Sequence, residues 1–70
     1  MFLTYNQYSE TTDAVLDAFI DGRISQAMFI RQMALLYIGR HSRNETVAKE
    51  VTVNYDGTVH AVSYAPDERI

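Results

Sequence analysis

Apolar residues recur along this chain in two periods. They are spaced as on a helix up to Ile38 and alternate from about Ala48 onward. The first helical stretch runs from Glu10 or Thr11 to Ile20. Val15, Leu16 and Phe19 share one side, while Asp13, Asp17 and Asp21, four apart, lie on the other. Ser9, Thr11 or Thr12 can cap its start, and Asp21-Gly22 supplies the stop. A second helix runs from Gln26 to about Ile38. Ser25 is its N-cap and Gly39 follows its end, with Arg40 and His41 where positive charge suits the helix dipole. The short turn through Gly22–Ile24 makes the pair a helical hairpin.

The second helix is the most informative segment. Only Gln26, Arg31 and Gln32 are polar between Gln26 and Ile38. A surface helix carries one apolar stripe and a broad polar face. This one is apolar almost all round, so it needs cover on most sides, and a short chain has little to offer. A second copy or another protein must contribute. Phe29, Ile30, Met33, Leu36 and Tyr37 are the residues expected at a dimer interface.

From Ala48 the period is two. Val51, Val53 and Tyr55 alternate with Thr52 and Asn54; Val59, Ala61 and Ser63 alternate with His60 and Val62. Asp56-Gly57 between them signals a hairpin. A two-residue turn would set Val53 opposite His60. A three-residue loop, Tyr55-Asp56-Gly57 with Gly57 in a bulge, would set Val53 opposite Val59 and Val51 opposite Ala61. The second register keeps small apolar residues on one face and is preferred. Residues 1–8, rich in Phe, Leu, Thr and Tyr, suit a short edge strand or an extended arm, and residues 65–70 a polar tail. The expected fold is α+β: one domain over residues 1–70, with an N-terminal helical hairpin followed by a C-terminal antiparallel β-hairpin at 48–64.

Size sharpens the argument for a partner. A core in a chain of 70 residues is marginal, worth roughly 3–5 kcal/mol, and small domains add disulfides, a metal or oligomerisation. There is no cysteine, and His41 and His60 alone make a poor zinc set, so no metal or cofactor is expected and association remains. The start, Met1-Phe2-Leu3-Thr4-Tyr5-Asn6-Gln7, lacks the basic end and long apolar run of a signal peptide. The central apolar run falls short of the about 20 residues that span a bilayer. Asn44-Glu45-Thr46 matches a glycosylation sequon, read as chance in a chain expected to be soluble and cytoplasmic.

The net charge of −3 argues against general nucleic-acid binding, which needs excess positive charge. The charges are unevenly placed. Glu10, Asp13, Asp17 and Asp21 are the only ones before Gly22; Arg23, Arg31, Arg40, Arg43 and Lys49 then dominate, with Glu45 the one acid among them.

Several constellations carry possible chemistry. Gly22-Arg23-Ile24-Ser25, then Phe29 and Leu35-Leu36, resembles the short helical module called SHOCT over residues 22–36, without the acids and lysines usual in that module's second helix. The resemblance implies an oligomerisation or interaction role; any tight helix–cap–helix junction needs similar residues. Ala18 and Gly22 have the spacing of a helix-turn-helix. Its recognition helix would then present Ala27, Phe29, Ile30 and Met33, where base reading needs Arg, Asn, Gln or Ser. Asp13, Asp17 and Asp21 lie on one helix face, which does not converge ligands on a cation, so the plain reading is a solvated face and the functional one a dock for a basic surface. The five tyrosines suit half-buried interface positions, and core or sheet use explains them equally. No nucleophile elbow, glycine-rich phosphate loop or zinc pattern is present, so an enzyme is not expected.

The sequence therefore reads as a protein-binding module: a small homodimeric regulator or inhibitor of another protein or complex. It is of the kind encoded by phages and mobile elements, anti-defence proteins included, and would act by steric blocking or through Asp13, Asp17 and Asp21 on a partner with a basic surface. The competing reading is a dimeric transcriptional regulator touching DNA with Arg40, His41 and Arg43. Charge layout discriminates: an exposed patch of those three with Lys49 favours regulation, and an exposed aspartate patch with paired basic residues favours inhibition.

Overall fold

The structure is a computed structural model and describes residues 2–41 and 48–63. Helices α1 (Tyr5–Ile20) and α2 (Gln26–His41) are followed by strands β1 (Ala48–Val53) and β2 (Val59–Ser63), which form one antiparallel two-stranded sheet. This is the expected small α+β domain of a helical hairpin followed by a β-hairpin. Residues 42–47 and 64–70, with Arg43, Tyr64 and the expected tail among them, lie outside the described residues.

Helix α1 begins at Tyr5, well before the expected start at Glu10 or Thr11. The reason is a capping box. Thr4 Oγ1 accepts from the Gln7 amide at 3.2 Å, and Gln7 Oε1 accepts from the Thr4 amide at 2.9 Å. Thr12, a candidate cap, instead sits inside the helix and donates its hydroxyl to the Tyr8 carbonyl at 2.8 Å. No N-terminal edge strand forms among the described residues. Phe2 makes a single bridge, its carbonyl accepting from the Ala48 amide at 2.8 Å. The Leu3 amide donates at 3.0 Å to the Gly39 carbonyl, one of the last-turn α2 acceptors that lack an intrahelical partner.

Gly22 ends α1 with φ of 74°; its amide donates to the Phe19 carbonyl and that of Arg23 to the Ala18 carbonyl, the Schellman arrangement. Ser25 Oγ accepts from the Met28 amide at 3.2 Å and caps α2. That helix continues past Ile38 and through Gly39 to His41. Glycine inside a helix costs about 1 kcal/mol relative to alanine, which tertiary contact offsets here through the Leu3 crossing.

The hairpin takes the three-residue loop. Val53 pairs with Val59 and Val51 with Ala61, and Gly57 has φ of 84°. The Asn54 amide donates to the Thr58 carbonyl at 2.8 Å and the Gly57 amide to the Asn54 carbonyl at 2.9 Å. The register breaks once more, between Ala48 and Glu50 of β1. The core is Leu3, Val15, Leu36 and Ala48, with Tyr8, Phe29, Met33, Val51, Val53 and Val59 packed around it. Phe19 and Phe29 stack at 4.3 Å between ring centroids and lock α1 to α2. Full burial of a leucine such as Leu36 stabilises by about 1.5–3 kcal/mol.

Candidate functional site

Helix α2 splits lengthwise. Gln32, Leu36 and Gly39 are buried, and Phe29 and Met33 pack on the core. The opposite side is open and apolar: Ile30 is 58 % exposed, Leu35 52 %, Tyr37 58 % and Ile38 64 %, with Ala27 and Ala34 between them. Arg31 and His41 are the basic side chains on that face, and the His41 ring leans on Tyr37 at 4.4 Å. The five residues expected at an interface are thus divided. Leu36 lies inside one chain, Phe29 and Met33 line that core, and Ile30 and Tyr37 face outward. Ala34, Leu35 and Ile38 join them on the outer face. Arg31 was the sequence signal for this, because an unpaired charge must face water. Residues at helical spacing from it, Ala27, Ala34, Leu35 and Ile38, share its side.

Gln32 was read as one of three polar residues on the helix and is in fact buried. Its Oε1 accepts from the Val59 amide at 3.0 Å, joining α2 to β2. Beyond this bond an open apolar cleft of about 170 Å³ runs between the helix and the sheet, lined by Leu3, Leu35, Leu36, Gly39, Val51, Val59 and Ala61. Leu35 both lines the cleft and is exposed on the outer face, so the two apolar regions meet there.

The charged groups take two forms. On α1, Glu10, Asp13 and Asp17 are exposed. Asp21 is also exposed, but it caps the helix and its Oδ2 meets Arg23 at 3.1 Å, the one ion pair recorded among the described residues. Leu16 and Ile20 are exposed on the same helix, so Leu16 does not share the buried side of Val15 and Phe19 expected for it. Two of the basic residues, Arg23 and Arg40, are engaged within the fold. Arg23 lies 4.6 Å over the Tyr55 ring and donates to the Tyr55 carbonyl. Arg40 is half-buried, 5.5 Å over Phe2. Arg43 falls outside the described residues, so no Arg40–His41–Arg43 patch is defined.

Among the described residues no three metal-ligating side chains converge, and no helix is long and apolar enough to cross a membrane. At the hairpin tip the Asp56 carboxylate accepts from both the hydroxyl and the amide of Thr58, which hold its pKa below the ordinary value of 3.8. These bonds shape the loop. No protein-family model, curated protein or solved structure matches the chain.

Proposed function

We propose that this chain is a protein-binding module that dimerises through the outer face of α2 and acts as a regulator or inhibitor of another protein. One observation carries the reading. Ile30, Leu35, Tyr37 and Ile38 form a contiguous exposed apolar face on a helix that the described residues cover on one side only. Soluble chains seldom leave such a face uncovered unless it binds something. A second copy is the simplest cover, since the same patch then meets itself.

The remaining acidic ridge on α1 suits a basic partner. Glu10, Asp13 and Asp17 stand exposed, while Arg23 and Arg40 are already engaged. Negative charge so placed speeds and orients association with a positive surface. Inhibition by steric blocking, of the kind seen in phage-encoded and anti-defence proteins, is the class of action this supports. The dimer is tested with Ile38→Glu, which lies on the surface and should fold while halving the mass seen by light scattering. The acidic dock is tested by capturing the partner with the wild-type chain. Asp13/Asp17→Asn, which leaves the Asp21 cap and its Arg23 pair intact, should then lose it, and Arg40/His41/Arg43→Gln should keep it. Retention of duplex DNA by the wild type at physiological salt would replace this reading with the transcriptional one.

A further inference from the structure

We propose that two copies join across a two-fold axis beside β2, merging the β-hairpins into one four-stranded sheet with the α2 helices packed beneath it. This rests on the self-association proposed above and specifies its geometry. The direction of the β2 backbone comes first. The Asn54 amide donates to Thr58, so that pair faces inward across the hairpin. Alternation along the ladder then turns the amide and carbonyl of Val59 and Ala61 away from β1. Gln32 marks the same direction, because its Oε1 takes the outward Val59 amide and places α2 on that side of β2. By the same alternation the Ala61 amide points away from β1, toward the open edge of the hairpin.

The two edges of the sheet are built differently. Strand β1 carries Lys49 and Glu50, breaks register between Ala48 and Glu50, and meets the Phe2 carbonyl at Ala48. Charge, a bulge and a covering segment are the usual devices that keep an edge from pairing. Strand β2, Val59-His60-Ala61-Val62-Ser63, has no proline, lysine or bulge of its own; Gln32 covers its edge at the Val59 amide, which leaves pairing to Ala61. An antiparallel copy centred on Ala61 would form two mutual backbone bonds there.

The helix supplies the second half of the contact. Ala27, Arg31, Ala34 and Ile38 form one row on α2, and Leu35 beside it borders the cleft next to Val59 and Ala61. The small side chains at Ala27 and Ala34 let a second helix approach, and Ile38 of one copy reaches the cleft of the other. Area argues for the combined surface. A stable dimer buries about 800 Å² and roughly 20–30 residues per side. Nine exposed residues on α2 fall short of that alone, and the β2 edge and cleft extend the patch.

Amide exchange of the wild-type chain tests this. The Ala61 amide should exchange about tenfold or more slowly in a concentrated, dimeric sample than in a dilute, monomeric one, with His60 protected in both. A dimer in which Ala61 exchanges equally fast at both concentrations overturns the continuous sheet and leaves an α2-only dimer. A chain monomeric at every concentration overturns both, leaving edge and cleft to a different occupant. A covalent test runs alongside, since the chain has no cysteine. Pairing centred on Ala61 sets position 60 opposite position 62 of the other copy, within the roughly 4.4–6.8 Å Cα separation a disulfide spans. Oxidising a mixture of His60→Cys and Val62→Cys chains should give the mixed dimer; failure to form it while light scattering still reports dimers overturns the proposal.

Discussion

Gly57 shows how much a single residue can carry in a chain this small. Its φ of 84° suits glycine alone, and a Cβ there would lie 2.8 Å from Ile24 Cδ1 and 2.9 Å from Ala18 Cβ. The hairpin tip is therefore pressed onto the α1–α2 corner as well as tightly turned. Gly57→Val should cost about 2 kcal/mol or more from backbone strain and overpacking together, read as a lower denaturant midpoint. The neighbouring Asp56 makes a pH prediction. Its two bonds from Thr58 hold the folded pKa below the ordinary 3.8. A depressed carboxyl pKa stabilises the fold above the unfolded value and loses that contribution as pH falls through the folded one. Titration by NMR should find Asp56 below the usual aspartate range in the wild type and near it in Thr58→Ala. The Asp56-Gly57 turn was legible in the sequence because its chemistry is local. The contact with Ala18 and Ile24 was not, since it joins residues far apart along the chain.

The same division runs through the elements. The β-hairpin, its register, the Gly22 stop and the Ser25 cap were readable from residues that act within a few positions of themselves. The start of α1 was missed because Phe2, Leu3, Thr4 and Tyr5 carry β propensity, which outweighed the Thr4–Gln7 box. Gly39 misled in the opposite direction. It looked like a stop and instead lies inside α2, where the Leu3 backbone crosses it. Gln32 is the clearest case of tertiary override. The sequence marks it only as one of three polar residues on an apolar helix, and it is 5 % exposed because it accepts from the Val59 amide of β2. Gln32→Leu should destabilise the domain by about 1–3 kcal/mol, since it strands that amide. Equilibrium denaturation checks this, and a neutral result would mean the bond contributes nothing net. For the candidate site, Ile30 and Tyr37 were named from the sequence and stand exposed on the outer face, while the split between core and outer face had to come from packing.

At the scale of the whole molecule, the described residues leave one side of α2, an apolar one, uncovered. The buried core is a handful of side chains, and single domains of this size are marginal alone. The proposed association would add burial to this core and would make stability depend on concentration. Core and outer face should separate on mutation. Leu36→Ala removes a side chain that is 2 % exposed and should cost about 2–5 kcal/mol in any assembly state. The Ile38→Glu chain should keep its helical signal and lose only the dimer. The most direct measurement is sedimentation equilibrium of the wild-type chain across a wide range of concentration. The account predicts a mass near twice 8.0 kDa in the micromolar range, falling to one chain on dilution and absent from the Ile38→Glu variant. A constant mass of one chain, with full helical signal at every concentration, would contradict it.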